Sequence, residues 1–291
     1  MIPRVAILKT DGINCDAETK YAFEAVGAEP EITHINSLKK GYDPAKDKEM
    51  KLDDYHILAI PGGFSYGDYI SAGKVLAYEL KHTLGEKIEK FIADGKLVIG
   101  ICNGFQVLAK SGFLPLEEGT IEQEVTLTYN NNNRFEDRWV NLISPENNSV
   151  WTKGLEKLQL PVAHGEGRFV APTQTIDNLF EKGQIVYQYA DVEWKPTSTF
   201  PQNPNGSLEA VAGISDSTGR VLGLMPHPER YNDPKNHYLA TLQEILSRDY
   251  IDVSDPTIDR RVRKYGTIPQ EAPGLQIFKN GVEYIKNNFE I

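Results

Sequence analysis

The chain has 291 residues, 40% of them hydrophobic and 25% charged, enough to bury a substantial core as one large domain or two modest ones. A formal net charge of −10 excludes a general nucleic-acid footprint, which needs clustered Lys and Arg. A mean hydropathy of −0.42 and short apolar runs exclude a membrane span, and two cysteines, Cys15 and Cys102, are too few for a disulfide scaffold. No secretory pattern is legible in Met1–Lys9, so reduced thiols and a cytoplasmic location are expected.

In chain order, Arg4–Leu8 reads as a first strand, and Asn14 as the cap of a helix over Asp16–Val26. Glu31–Ile35 and Ile57–Ile60 read as further strands, separated by a Lys/Asp-rich solvated loop over Leu38–Asp54. Two helical patterns follow, around Val75–Leu80 and over Glu86–Ala93. Leu97–Ile101 is a continuous apolar run, the kind buried on both faces of a parallel sheet, and Asn103–Lys110 reads as the helix after it. Alternation of this type predicts a doubly wound α/β sheet, mostly parallel, with helices on both faces and ligands at the carboxyl ends of its strands. After Gly119 the pattern changes. Val125–Tyr129, Arg138–Ile143, Gln184–Tyr189, Leu208–Ile214 and Arg220–Leu224 read as strands joined by polar turns, hence antiparallel additions to the sheet. Residues 232–273 are charged, with one helical stretch near Leu239–Leu246, and Leu275–Asn287 reads as a closing helix. The expected organisation is a single domain over 1–291, with 232–273 as an insertion before that helix.

Chemistry concentrates in three segments. Gly100-Ile101-Cys102-Asn103-Gly104 puts a cysteine between glycines where a buried strand meets a helix, the setting of a nucleophile elbow. The helix directs partial positive charge at the sulfur, and the Asn103 N–H is free to help hold an oxyanion. The ordinary alternative is a buried structural cysteine. Cys15 lacks such a setting and reads as structural, in the turn after the first strand.

A thiol nucleophile needs a base and an orienting acceptor. His227, between two prolines in Met225-Pro226-His227-Pro228-Glu229-Arg230, follows an apolar strand, and Glu229 is placed to take its other ring nitrogen. The His-x-Glu spacing also occurs in zinc deaminases, but their downstream Cys-x-x-Cys is missing, so no metal is expected. His164 is the rival base. Its segment, Val162-Ala163-His164-Gly165-Glu166-Gly167-Arg168, reads as a binding or interface loop carrying His164, Glu166 and Arg168. The third segment, Pro61-Gly62-Gly63-Phe64-Ser65-Tyr66-Gly67-Asp68, offers backbone N–H groups to a developing negative charge. It is not a phosphate-binding loop, because Lys74 is followed by Val and the glycine spacing is one residue too long.

Together these words resemble the class I (triad) glutamine amidotransferases. Two of them, Gly62-Gly-Phe-Ser-Tyr-Gly-Asp68 and Ala163-His-Gly-Glu-Gly-Arg168, with Asp11-Gly-Ile-Asn-Cys-Asp16, resemble more narrowly the glutaminase subunits that serve an amidine-forming synthetase of purine biosynthesis. The resemblance implies a flavodoxin-like fold, glutamine as substrate, and Cys102, His227 and Glu229 as catalytic residues. It further implies Gly63, Phe64, Asn103 and Gln106 as oxyanion and substrate contacts, and an ammonia-transfer role as an alternative for His164, Glu166 and Arg168. The implied partners are a large ATP-dependent synthetase subunit and a small accessory subunit. The chain itself would bind no cofactor, with ATP and magnesium on the synthetase. From the residues alone, another thiol hydrolase on the same sheet and a non-catalytic interaction protein remain alternatives. The resemblance covers residues 4–231 and resumes at Gly274–Val282, where typical members close soon after the His-Pro-Glu-Arg turn.

Overall fold

The computed structural model describes residues 2–116, 121–241, 244 and 271–289. Strand β1 (Arg4–Lys9) leads into helix α1 (Asp16–Ala25), strand β2 (Glu29–His34) and a short helix α2 (Ile35–Lys40). Asn14 does not cap α1. Cys15 holds the N-cap position and contributes no side-chain bond there. The stretch expected as a solvated loop is partly structured: α2 buries Leu38, a tight ribbon joins β3 (Tyr42–Asp43) to β4 (Lys48–Glu49), and Met50, Leu52 and Tyr55 enter the core.

Strand β5 (Ile57–Ile60) is followed by one helix, α3 (Lys74–Ala93), where the sequence suggested two. Packing of Leu76, Leu80, Leu84 and Ile88 carries the helix through Gly85, whose intrinsic cost is only about 1 kcal/mol. Strand β6 (Leu97–Ile101) runs into α4 (Asn103–Ser111). Next come β7 (Thr126–Thr128), β8 (Glu136–Ile143), β9 (Lys157–His164), β10 (Arg168–Val170), helix α5 (Thr173–Glu181), and strands β11 (Ile185–Ala190), β12 (Val211–Ser215) and β13 (Val221–Leu224). Helix α6 (Pro273–Asn288) closes the described chain and packs on α1, with Phe278 meeting Phe23 edge-on at 4.9 Å. Most of residues 232–273, including half of the helical stretch expected near Leu239–Leu246, lie outside the described residues.

Nine strands form one sheet in the order β2-β1-β5-β6-β13-β12-β11-β8-β9. Pairing is parallel from β2 to β13 and antiparallel from there to β9, so the added strands lie where the turn-rich half of the sequence predicted. One correction concerns β7, which leaves the main sheet to pair with β10 in a separate ribbon. Strand β9 was not anticipated. Its inward side chains Leu158, Leu160, Val162 and His164 alternate cleanly, but Pro161 interrupts the donor pattern of a ladder, and the strand sits at the sheet edge where a proline is tolerated.

The sheet is built so that α4 can lie close against it. In the β6–β13 pairing Gly100 stands opposite Gly223. A Cβ at Gly100 would come within 2.6 Å of the Gly104 backbone, and one at Gly223 within 2.1 Å of the Phe105 ring. These two glycines bring the amino end of α4 down onto the carboxyl ends of the central strands, where an α/β sheet places its ligands.

Candidate active site

Cys102 is the hinge between β6 and α4. Its φ of 52° and ψ of −103° lie in a region that side chains rarely adopt, so the elbow carries backbone strain. It is held there by its N–H donating to Leu224 O at 2.8 Å and by Gln106 N–H donating to its carbonyl at 3.1 Å. The thiol is 5% exposed and lies 3.6 Å from Ala163 O.

His227 and Glu229 lie in the turn after β13, the strand beside β6. His227 Nδ1 and Glu229 Oε1 are 2.6 Å apart, in a pocket where both residues are fully buried. The His227 N–H donates to Pro161 O at 2.8 Å, so the unanticipated strand β9 seats the turn that carries His227 and Glu229. The antiparallel half of the sheet thus returns over these residues, supplying Pro161 O to His227 and Ala163 O to Cys102. Burial pulls the His227 pKa down. The Glu229 carboxylate and the Cys102 thiol more than reverse this and hold it well above the ordinary histidine value. A ring that readily carries a proton beside a thiol is suited to accept the thiol's proton and return it to a leaving group. His227 Nε2 and Glu229 Oε2 have no hydrogen-bond partner among the described residues.

The glycine loop lies across the mouth of this pocket. Gly63 has a φ of +145°, and a Cβ there would sit 2.6 Å from Gly12 O and 2.8 Å from Asn14 N, so the loop is pressed against the turn after β1. Phe64 N–H donates to Gly12 O at 2.8 Å. Asn103 opens α4, so its N–H lacks an intrahelical acceptor. Its side chain accepts from Ser65 N–H at 3.3 Å and donates to Gln106 Oε1 at 3.0 Å. Phe64 stands half exposed at the rim, 6.5 Å from the Phe135 ring.

Two sequence assignments change in emphasis. Gln106 is buried, donating to Glu166 O at 2.6 Å, so it braces the pocket wall and keeps only part of its amide for a substrate. His164 and Glu166 are also interior. Glu166 accepts Ala72 N–H on both oxygens at 3.1 Å and pairs with Lys110 at 3.5 Å, while His164 Nδ1 lies 3.2 Å from Asn130 Oδ1. Of the three side chains singled out in that expected interface loop, His164 and Glu166 are buried and Arg168 is half-buried.

Burial, reinforced by the nearby His227, pushes the His164 pKa down to about 3. A histidine held neutral in the fold but free to charge when unfolded contributes stability above the unfolded value of about 6.5. That contribution falls at about 1.4 kcal/mol per pH unit as pH drops toward the folded value. Thermal melts of wild type and His164→Gln between pH 6.5 and 4 are expected to show the wild-type curve falling more steeply, by one proton's slope. Parallel curves would contradict the buried neutral ring.

Cys15 lies in the turn after β1, as expected of a structural thiol, but the sequence did not indicate its place beside His227, where its Sγ accepts from Arg230 Nη2 at 3.1 Å. A Cβ at Gly62 would lie 2.8 Å from His227 Cε1, 3.2 Å from Cys15 Sγ and 3.4 Å from Cys102 Cβ, so all three side chains converge on that glycine. The only hint in the sequence was Arg230, a cation directly after Glu229 with no assigned partner.

Comparison with known proteins gives the family of the chain. A family model, the CobB/CobQ-like glutamine amidotransferase domain, matches residues 2–285. The phosphoribosylformylglycinamidine synthase subunit PurQ of Methanococcus maripaludis is 40% identical over 288 residues, covering 98% of both chains, and so extends beyond residue 231. The subunit of the same name from Dehalococcoides mccartyi is 47% identical over 237 residues, 80% of this chain and 88% of its own. A chain in the structure of PurLQS from Thermotoga maritima superposes with a TM-score of 0.65 at 29% identity, covering 98% of this chain and 100% of that one. Matched over nearly its whole length by the model and by a relative of nearly equal span, this chain belongs to the CobB/CobQ-like glutamine amidotransferases.

Proposed function

We propose that this chain is the glutaminase subunit of a phosphoribosylformylglycinamidine synthase, cutting ammonia from the side-chain amide of glutamine for a synthetase partner. The observation that carries the reading is the strained Cys102 elbow beside a buried His227–Glu229 pair, in a chain 40% identical end to end to a PurQ subunit.

In this reading His227 Nε2 takes the Cys102 proton while Glu229 holds Nδ1–H, fixing the tautomer. The sulfur attacks the δ-carbonyl carbon of glutamine, a C–S bond forms, and the oxygen becomes an oxyanion. The N–H groups of Gly63 and Asn103 are assigned to it, each contributing about 3–4 kcal/mol in comparable sites. His227 returns the proton to the amide nitrogen, the C–N bond breaks, and ammonia leaves a glutamyl thioester. Water, deprotonated by the same ring, cleaves the thioester to glutamate and restores the thiol. Apo distances around the sulfur are expected to shorten only when substrate is bound.

Amide hydrolysis requires no nucleotide. ATP and magnesium, needed for the amidine-forming step, are therefore assigned to the large synthetase subunit. A small accessory subunit completes the assembly in the same reading, supported by the PurLQS neighbour. A cytoplasmic location belongs to it too. Among the described residues no helix is long and apolar enough to cross a membrane. The test is ammonia release from glutamine, measured on the purified chain alone and after mixing with the synthetase and accessory subunits. Slow release alone that rises strongly on mixing is expected. A folded sample that releases none under either condition would overturn the assignment.

A further inference from the structure

The reaction proposed above leaves one buried thiol unused. Cys15, at the N-cap of α1, is 1% exposed, and the turn it ends touches both the glycine loop and the turn after β13. Backbone makes the first contact: Cys15 N–H donates to Gly62 O at 3.2 Å, Phe64 N–H to Gly12 O at 2.8 Å and Tyr66 N–H to Asp11 O at 2.8 Å. The sulfur makes the second. Cys15 Sγ accepts from Arg230 Nη2 at 3.1 Å and lies within 4.8 Å of a His227 ring nitrogen and a Glu229 carboxylate oxygen. The thiol also donates to Asn14 Oδ1 at 3.4 Å, so the sulfur is engaged as both donor and acceptor.

The bond to Gly62 O reaches the chemistry through one peptide plane. The Gly62–Gly63 peptide is trans and planar, so its C=O and N–H point in opposite directions. Holding the Gly62 carbonyl therefore sets the direction of the Gly63 N–H, the group assigned to the oxyanion. The Cys15 backbone is fixed in turn by Thr19, whose N–H and hydroxyl donate to Cys15 O at 3.1 and 2.7 Å, and by the grip of Arg230 on the sulfur. A cationic donor strengthens a bond to an otherwise weak sulfur acceptor. Arg230 directly follows Glu229, and its N–H donates to His227 O at 3.3 Å, so its side chain anchors the turn that carries the base. We infer that Cys15 is a positioning residue: gripped by Arg230, it holds the Gly63 peptide and the His227–Glu229 turn in one fixed relation, so that oxyanion donor and base are presented together. What those two groups do is taken from the glutaminase reading above. Cys15 itself forms no covalent bond in the reaction.

The test is steady-state ammonia release by the full chain with the synthetase and accessory subunits. Oxyanion donor and base act in the transition state, so Cys15→Ala is expected to lower kcat about tenfold or more, with KM for glutamine within about twofold of wild type. Cys15→Ser, which keeps an acceptor for Arg230, should restore most of the loss. Arg230→Gln should reproduce it, and the double variant should be no slower than the slower single one, because both changes remove the same contact. Wild-type kcat in Cys15→Ala, losses that multiply in the double variant, or a loss confined to KM would overturn the positioning role. A second readout needs no turnover: the rate at which iodoacetamide alkylates Cys102 in the chain alone, located by peptide mass. Alkylation requires the thiolate that a well-placed His227 favours, so it should slow several-fold in Cys15→Ala and in Arg230→Gln. That slowing in a chain that hydrolyses no glutamine would uphold the positioning role while the glutaminase reading fell. An unchanged alkylation rate in both variants would overturn the positioning role and leave the glutaminase reading standing.

Discussion

Replacing Cys102 with alanine is expected to lower glutamine hydrolysis by on the order of 10⁴-fold or more while leaving the fold intact. The chemistry sets the size of the loss. Without the sulfur there is no covalent intermediate, and His227 is left with neither a proton to take nor a nucleophile to activate. The fold should tolerate the change because alanine meets the same backbone strain at φ 52° that cysteine already bears, and only one small buried atom is removed. The backbone bonds that pin the elbow, from Cys102 N–H to Leu224 O and from Gln106 N–H to Cys102 O, do not involve the side chain. The measurement is the rate of ammonia release with synthetase present, alongside a thermal melt. A wild-type melt with lost activity would place the sulfur in the reaction. Retained turnover would remove Cys102 from it and turn attention to Cys15, the other thiol beside His227.

The parts of the site legible in the sequence were those written in consecutive residues. Leu97–Ile101 is fully buried as its unbroken apolar run required, and the glycines around Cys102 are where α4 meets the sheet. The His227–Glu229 pair likewise depends on a local turn between prolines. What the sequence hid depends on tertiary contact. Strand β9 has the right alternation but contains Pro161, and only its edge position makes that proline acceptable. Nothing in its residues says that its carbonyls seat His227. Cys15 is similar. Its neighbours Asn14 and Asp16 describe a turn, and its pairing with Arg230 exists only once β1 and the turn after β13 end at the same edge of the sheet. Helix α3 shows two separate patterns in the sequence, Val75–Leu80 and Glu86–Ala93, and only the buried contacts of Leu76, Leu80, Leu84 and Ile88 join them.

Two glycine-to-alanine substitutions are expected to act in opposite directions, and the contrast tests how α4 is held. At Gly104, in the first turn of α4, a Cβ would lie 1.9 Å from Ile60 O and 2.8 Å from Ile60 C. These are backbone atoms of β5 and cannot rotate away, so the helix must lift from the sheet. Overpacking of this kind costs about 1–3 kcal/mol, and more where backbone is the obstacle. The same displacement moves Cys102 and the Asn103 N–H away from the Gly63 loop, which continues from β5. A shift of about 1 Å can cost on the order of 10²-fold in rate, so Gly104→Ala is expected to lose both stability and turnover per folded molecule. Gly85 lies inside α3, and a Cβ there meets nothing within 4 Å. Gly85→Ala should instead stabilise the protein by roughly 0.5–1 kcal/mol through the lower backbone entropy of its unfolded chain, with activity unchanged. Denaturant melts of the two variants, paired with ammonia-release rates, measure both effects. If Gly104→Ala behaves like Gly85→Ala, close contact between α4 and β5 is not what sets the nucleophile's position. If the two diverge as expected, that contact is part of how the chain aligns Cys102 with the Gly63 loop.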